Sequence, residues 1–193
     1  MRRFFVRLSA FAAFVAALWV VHAVNWATGY ELTRDFGLIP REVDGLDGIA
    51  GMPLLHGSMA HLLSNTPPLL VMGSLLAATA TRALAAVNVI IVGLGGALVW
   101  VFGSSAIHIV ASGLVFGWLG FLLVRGLIDR SPVTLGAAAI VGFLYGAMIW
   151  GVLPGRPGVS WEAHLFGFLA GAAAARIVRT RVHEPRARAV ERG

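Results

Sequence analysis

Residues 112–124 read Ser-Gly-Leu-Val-Phe-Gly-Trp-Leu-Gly-Phe-Leu-Leu-Val, an uncharged run that opens on a hydroxyl. Its glycines, at 113, 117 and 120, fall on one face of a helix, because residues three and four apart are neighbours there. Small residues let membrane helices approach backbone to backbone. The run therefore predicts a membrane helix that starts at Ser112 and meets a close neighbour along its glycine face.

The composition of the whole chain supports a membrane location. Of 193 residues, 58% are hydrophobic and 12% are charged, whereas a soluble domain carries about 25% charged residues. This balance excludes a soluble globular enzyme and a disordered chain. The absence of cysteine excludes disulfide scaffolds, zinc–thiolate and iron–sulfur centres, and a cysteine nucleophile.

Six apolar runs are long enough to be membrane helices. They cover residues 4–24, 61–80, 83–102, 112–124, 133–153 and 161–177. The first follows two arginines but is long for a signal peptide and lacks a small-x-small cleavage signal, so we expect a retained helix. Residues 25–55 are expected to form a polar loop and residues 178–193 a basic tail. The prediction is one all-α, six-helix membrane domain over residues 1–193.

The basic residues predict the orientation. All 15 are arginine, and six spans would place twelve of them on the side that holds both termini. Because arginine marks cytoplasmic loops, both termini are expected in the cytoplasm of a multi-pass plasma-membrane protein, with a bacterial source. The net charge of +6 lies at the ends of apolar runs. The expected partner of this charge is the lipid bilayer and not nucleic acid.

Polar side chains inside apolar runs are costly and are candidates for function. They are His56, His61, Asn65, Asn88, Ser112 and His164. Runs two, four and six would all enter from the outer side, which places Ser112, His164, His61 and Asn65 at a similar depth. His61 and Asn65 share one helix face, being four residues apart. A hydroxyl, two imidazoles and a carboxamide at one depth suggest a nucleophile, a base and hydrogen-bond donors.

A second glycine stripe follows His164. Gly167 and Gly171 lie on one face of the sixth run, which favours a close crossing with the glycine face of the fourth. A Ser–His hydrogen bond of about 2.6–3.2 Å between Ser112 and His164 requires such a crossing.

Three motifs resemble the rhomboid intramembrane serine proteases. Residues 56–65, His-Gly-Ser-Met-Ala-His-Leu-Leu-Ser-Asn, are similar to the family's HxxxxHxxxN signature. Ala111-Ser112-Gly113 resembles the end of its GxSG motif. Residues 163–171, Ala-His-Leu-Phe-Gly-Phe-Leu-Ala-Gly, resemble its AHxxGxxxG segment. The order of the motifs and their placement on runs two, four and six agree with the family.

The resemblance implies a serine endopeptidase that cuts transmembrane proteins near the outer face and needs no metal or other cofactor. Ser112 would be the nucleophile and His164 its general base. The oxyanion would be held by the backbone N–H of Ser112 with Asn65 and His61. Supporting positions would be His56, Gly113, Phe116, Gly167 and Gly171, with Phe116 stacked on the catalytic histidine.

One departure from the family leaves an alternative open. Val110 stands where the GxSG motif begins with glycine, and a β-branched residue restricts the backbone there. An inactive rhomboid-like scaffold that binds transmembrane helices is therefore the second hypothesis. A metal or haem site on His56, His61 and His164 is the third hypothesis. Zinc hydrolysis needs three protein ligands and an open position, and no carboxylate accompanies these histidines at membrane depth.

Three polar residues are expected to lie outside the reaction. His22 would be an interfacial anchor at the outer end of the first helix. His108 would be exposed to solvent in the loop before Ser112. Asn88 would form a hydrogen bond between helices.

Overall fold

A computed structural model describes residues 2–80, 83–109, 111–155 and 158–178. Val110, on which the scaffold alternative depends, and the basic tail from residue 179 lie outside the described residues. The predicted all-α class is confirmed. The α-helices are α1 (Arg2–Ala27), α2 (Glu31–Phe36), α3 (Gly48–Gly51), α4 (Met59–Thr79), α5 (Leu84–Phe102), α6 (Ala111–Asp129), α7 (Pro132–Tyr145) and α8 (Trp161–Ile177).

Within the described part of the chain, five helical stretches are long and apolar enough to cross a membrane. They are Phe5–Ala27, Met59–Thr79, Leu84–Phe102, Ala111–Asp129 and Pro132–Val152. The remaining long helix, α8, has 17 residues and the bounds that the sequence predicted.

Helix α6 forms the centre of the bundle, with every residue from Ala111 to Leu122 buried. Its closest partner is α8. A Cβ atom on Gly171 would overlap the carbonyl of Gly117, and one on Gly167 would overlap the carbonyl of Gly113. The predicted backbone-to-backbone crossing of these two helices is therefore confirmed.

The first helix packs into the same bundle. The Phe11 ring meets Trp118 of α6 edge-on, with centroids 5.5 Å apart, and lies 2.7 Å from where a Cβ on Gly73 of α4 would sit. Trp118 also donates its indole N–H to the Asn88 side-chain oxygen of α5, at 2.9 Å. The expected interhelical hydrogen bond of Asn88 is thus confirmed.

The predicted end of the fourth run at Val124 was wrong, because α6 continues to Asp129. The charge of Arg125 does not end the helix, since its partners lie within the bundle. Its guanidinium bonds Asp129 at 2.6 Å and donates to the carbonyls of Ala175 and Val178 at 2.9 and 2.8 Å. Arg125 therefore ties the C-terminal part of α6 to the C-terminal end of α8.

The polar loop expected for residues 25–55 was also wrong. Helix α1 continues to Ala27, and the following segment contains α2, α3 and two 3₁₀ turns, Val43–Gly45 and Met52–Leu54. This segment folds because it buries Leu38 and Met52 in a small cluster with Val99 of α5 and Ala163 of α8. The burial of apolar side chains stabilises a compact cap instead of an open loop.

The fifth run is not one α-helix. Helix α7 ends at Tyr145, and Gly146–Val152 continue as a 3₁₀ helix in which no residue is buried. A long 3₁₀ stretch is uncommon, because its hydrogen-bond geometry is poorer than that of the α-helix. This segment reaches α8 and borders the site described next.

Candidate active site

A serine and a histidine meet where α6 and α8 cross. Ser112 Oγ lies 2.7 Å from His164 Nε2, and both side chains are buried. The glycine contacts of the crossing explain this short distance, since they bring the two backbones together within one turn of each residue. The arrangement is that of a hydroxyl within reach of a base.

The other faces of His164 are also occupied. Its Nδ1 lies 2.9 Å from the carbonyl oxygen of Gly151, in the 3₁₀ segment. The Phe116 ring stacks on the imidazole, with centroids 4.1 Å apart and planes 7° apart. The ring of His164 is thus fixed by a hydrogen bond on each nitrogen and by an aromatic face.

Ser112 is the second residue of α6. The first N–H groups of a helix have no partner inside the helix, and the helix dipole favours negative charge at that end. The N-terminal turn of α6 therefore places free N–H donors beside the Ser112 hydroxyl.

Asn65 lies on α4, four residues after His61, and is buried. Its side-chain Nδ2 has no hydrogen-bond partner among the described residues. A buried amide donor without an acceptor costs about 1–3 kcal/mol, so its retention needs an explanation. A group that develops negative charge only during a reaction would supply the acceptor.

His61 belongs to a cluster of three histidines beside the pair. The His56 ring, fully buried in the turn before α4, meets His61 edge-on at 5.3 Å and His22 of α1 at 6.5 Å. Burial, helped by charge repulsion from His61 and His22, lowers the pKa of His56 to about 4. His61 in turn lies near enough to His164 for their charges to interact.

His22 corrects an expectation from the sequence. It is not an interfacial anchor, because it is buried and its Nδ1 lies 3.2 Å from the carbonyl oxygen of His56. Since a carbonyl only accepts, His22 donates this bond and holds the turn that carries His56. Helix α1 thus contributes to the surroundings of the site.

The metal hypothesis finds no support in this geometry. No group of three histidine, aspartate or glutamate side chains within the described ranges is arranged to hold a metal ion. His56, His61 and His164 do not converge on one point. His164 faces Ser112 and Gly151 instead.

The comparison with known families agrees with this site. The profile of the rhomboid domain matches residues 47–181. The chain belongs to the rhomboid family. The match covers α3 to α8 and so includes the serine, the histidines of α4 and α8, and Asn65. Helix α1, which carries His22, precedes it.

Relatives of this rhomboid chain occur in mycobacteria. It is 39% identical to uncharacterized proteins of Mycobacterium tuberculosis and Mycobacterium bovis, over 93% of this chain and 77% of each relative. It is 37% identical to an uncharacterized protein of Mycobacterium leprae, over 90% of this chain and 72% of the relative. These relatives and the five candidate spans indicate a bacterial membrane protein.

His108 of this rhomboid is a further correction. It is buried and not exposed. Its backbone forms an isolated bridge with Leu38 of the cap, with N–O distances of 3.0 and 2.8 Å. Its ring bonds the side chain of Ser160, the residue just before α8. His108 therefore joins the loop before Ser112 to the cap and to the helix of His164.

Three groups of the site could not be assigned from the sequence. The carbonyl of Gly151 is a backbone group and leaves no signature in the residue type. His22 and His108 are single histidines whose partners lie 34 and 52 residues away. One available signal was that His22 lies within a long apolar run and His108 between two of them, where an uncompensated polar side chain needs a partner.

Proposed function

We propose that this rhomboid is an intramembrane serine endopeptidase that uses a Ser112–His164 dyad. The observation that carries the proposal is the buried 2.7 Å contact between Ser112 Oγ and His164 Nε2. An exposed serine hydroxyl is a weak nucleophile, and an adjacent base activates it. The short contact between the buried Ser112 hydroxyl and the His164 imidazole supports such an activation of the serine.

In the proposed reaction, Ser112 Oγ attacks a peptide carbonyl while its proton passes to His164 Nε2. The C–N bond then breaks as His164 returns the proton to the leaving amine, which leaves an acyl group on Ser112. Water repeats the sequence, with His164 as the base, and releases the acid. The chemistry needs no cofactor, and its roles follow the general serine-protease scheme.

The oxyanion formed in each step would be held by three donors. They are the backbone N–H of Ser112, the Asn65 amide and the His61 ring. The unpartnered Asn65 Nδ2 supports this assignment, as does the position of Ser112 at the start of α6. His56 would support His61 from beneath. Gly113 and Gly167 would keep the helices close, and Phe116 would hold the His164 ring.

The proposed topology has six spans with both termini in the cytoplasm. Helix α8 would be the sixth, since its 17 residues reach about 26 Å at 1.5 Å each, the lower end of a membrane span. The arginine distribution supports the orientation. The dyad would then lie near the outer face of the plasma membrane.

The absence of cysteine makes this topology simple to test. Asp44, in the 3₁₀ turn Val43–Gly45, and Arg130, between α6 and α7, are both exposed and lie at opposite ends of the bundle. Single cysteines at these two positions should differ in intact cells. A membrane-impermeant maleimide should label Asp44→Cys and leave Arg130→Cys unlabelled until the cells are opened. The reverse pattern would contradict the proposed orientation.

The substrates would be transmembrane segments. A membrane helix keeps its carbonyls paired, so a bond must leave the helix before Ser112 can attack it. Cleavable segments should therefore carry glycine, proline or small polar residues near their outer ends. Replacing these residues by leucine in a single-pass reporter should slow its cleavage, and an unchanged rate would contradict the unwinding requirement.

The scaffold alternative rests on Val110. Glycine reaches positive φ freely and valine does not without strain, so valine at the motif's first position would favour low activity. Val110→Gly would then raise cleavage of the reporter by about one to two decades if strain of 1–3 kcal/mol were relieved.

Cleavage of the reporter in proteoliposomes tests the protease proposal. Ser112→Ala and His164→Ala should each reduce cleavage to background, and the double variant should be no slower, because the pair acts as a unit. Asn65→Ala should lose about 10²–10³ in rate as one oxyanion donor is removed. Cleavage by the Ser112→Ala variant would contradict the proposal.

A further inference from the structure

The second nitrogen of the candidate base faces a backbone group and not a carboxylate. His164 Nδ1 lies 2.9 Å from the Gly151 carbonyl oxygen. A carbonyl carries no proton, so this hydrogen bond exists only when Nδ1 is the protonated nitrogen. The neutral ring then presents an unprotonated Nε2 to Ser112 Oγ, as a general base must.

We propose that Gly151 is a positioning residue of this site, whose carbonyl holds His164 in the tautomer that the dyad requires. The proposal deepens the protease function and rests on it. The carbonyl occupies the place that an aspartate has in a catalytic triad, where the acceptor on Nδ1 fixes the tautomer and the ring orientation.

The packing around residue 151 explains why glycine is needed there. A Cβ at this position would lie 2.9 Å from Phe116 Cζ and 3.2 Å from His164 Nδ1. These two rings are stacked 4.1 Å apart, and Phe116 is buried, so a shift of one ring changes the position of the other. A side chain at residue 151 would therefore push the carbonyl and the imidazole apart.

The carbonyl of Gly151 belongs to a partly exposed segment. Gly151 lies in the 3₁₀ helix Gly146–Val152, in which no residue is buried. Its carbonyl contact with His164 adds to the packing of Met148 and Val152, in the same segment, against the core cluster. If the segment moved away from α8, His164 Nδ1 would lose the Gly151 carbonyl as its acceptor, and the ring would then be free to take either neutral tautomer.

The chain offers a matched control for the test. Gly146 lies in the same 3₁₀ helix, and a Cβ there would meet no atom within 4 Å. Gly146→Ala and Gly151→Ala therefore make the same chemical change in one segment, and only the second reaches the histidine.

The first measurement is ¹⁵N NMR of the histidine rings in detergent micelles, with the His164 signals assigned by their loss in His164→Ala. The wild type should show a single neutral tautomer with the proton on Nδ1. Ser112→Ala should keep it, because Gly151 and not Ser112 holds it. Gly151→Ala should show a mixture of tautomers, and Gly146→Ala should match the wild type.

The second measurement is the rate of fluorophosphonate labelling. Gly151→Ala should be slower by about 10–100-fold, since a displacement of about 1 Å costs up to 10²-fold, while Gly146→Ala should be unchanged. A wild-type proton on Nε2, a tautomer change in Ser112→Ala, or wild-type behaviour of Gly151→Ala would each overturn the proposal. If the wild type were not labelled at all, the protease function would fail, whereas the NMR result would still decide the role of Gly151.

Discussion

His108 and Ser160 form a 2.7 Å hydrogen bond four residues before Ser112 and His164, so a second serine–histidine bond precedes the first on both chain segments. His108 Nε2 lies 3.0 Å from the Ser104 carbonyl oxygen and donates to it, which leaves Nδ1 to accept from the Ser160 hydroxyl. The two bonds join the same pair of chain segments. The His108–Ser160 bond therefore limits how far Ser112 and His164 can move apart.

A double-mutant cycle tests this link. His108→Ala and Ser160→Ala should each lower the free energy of unfolding in detergent and the fluorophosphonate labelling rate. The double variant should lose less than the sum of the two single losses, with a coupling of about 0.5–3 kcal/mol for the shared hydrogen bond. Ser160→Thr should stay near wild type, because it keeps the hydroxyl that also caps α8 at Ala163 N. Purely additive losses would contradict the link.

The crossing of α6 and α8 predicts a sharp difference between two glycines. Gly171→Ala would place a methyl group onto the Gly117 carbonyl, whereas Gly93, exposed on α5, has no atom within 4 Å of such a group. Gly171→Ala should destabilise the fold by about 1–3 kcal/mol as the helices separate, and Ser112 should be labelled more slowly. Gly93→Ala should be neutral or slightly stabilising. Equal melting temperatures for the two variants would exclude the close crossing.

The buried His56 predicts a loss of stability in acid. Its pKa is about 4 in the folded protein, against the ordinary value of 6.5. Between these values the unfolded state binds more protons, so the free energy of unfolding falls as the pH is lowered from about 6.5 to 4. Chemical unfolding at several pH values should show this slope, and His56→Gln should show less of it. An identical slope in the variant would assign the acid sensitivity to other groups.

Much of the fold was predictable because a bilayer imposes simple rules. Apolar runs long enough to span a bilayer predicted the bounds of α8 correctly and those of α4 and α5 within two residues. The glycine stripes after Ser112 and His164 predicted which helices cross, since only small residues permit contact between backbones. The pairing of these two residues followed from that crossing.

The remaining features depend on contacts distant in the sequence. The cap over residues 31–54 folds around Leu38 and Met52, which meet partners on α5 and α8. Helix α6 passes through Arg125 because carbonyls of α8 accept its guanidinium. The burial of His22 does not follow from local pattern, because its hydrogen-bond partner is the carbonyl of His56, 34 residues away.

The most direct test of the dyad is site-resolved labelling of the wild-type protein with a fluorophosphonate, followed by peptide mass spectrometry. The probe reacts with an activated serine, and we expect a single modified residue, Ser112. Labelling should disappear in Ser112→Ala and His164→Ala. It should persist in Ser74→Ala, which removes a hydroxyl that only bonds its own helix, at the Leu70 carbonyl 2.7 Å away. Labelling at full rate in His164→Ala, or an unlabelled Ser112 in the folded wild type, would contradict the Ser112–His164 dyad.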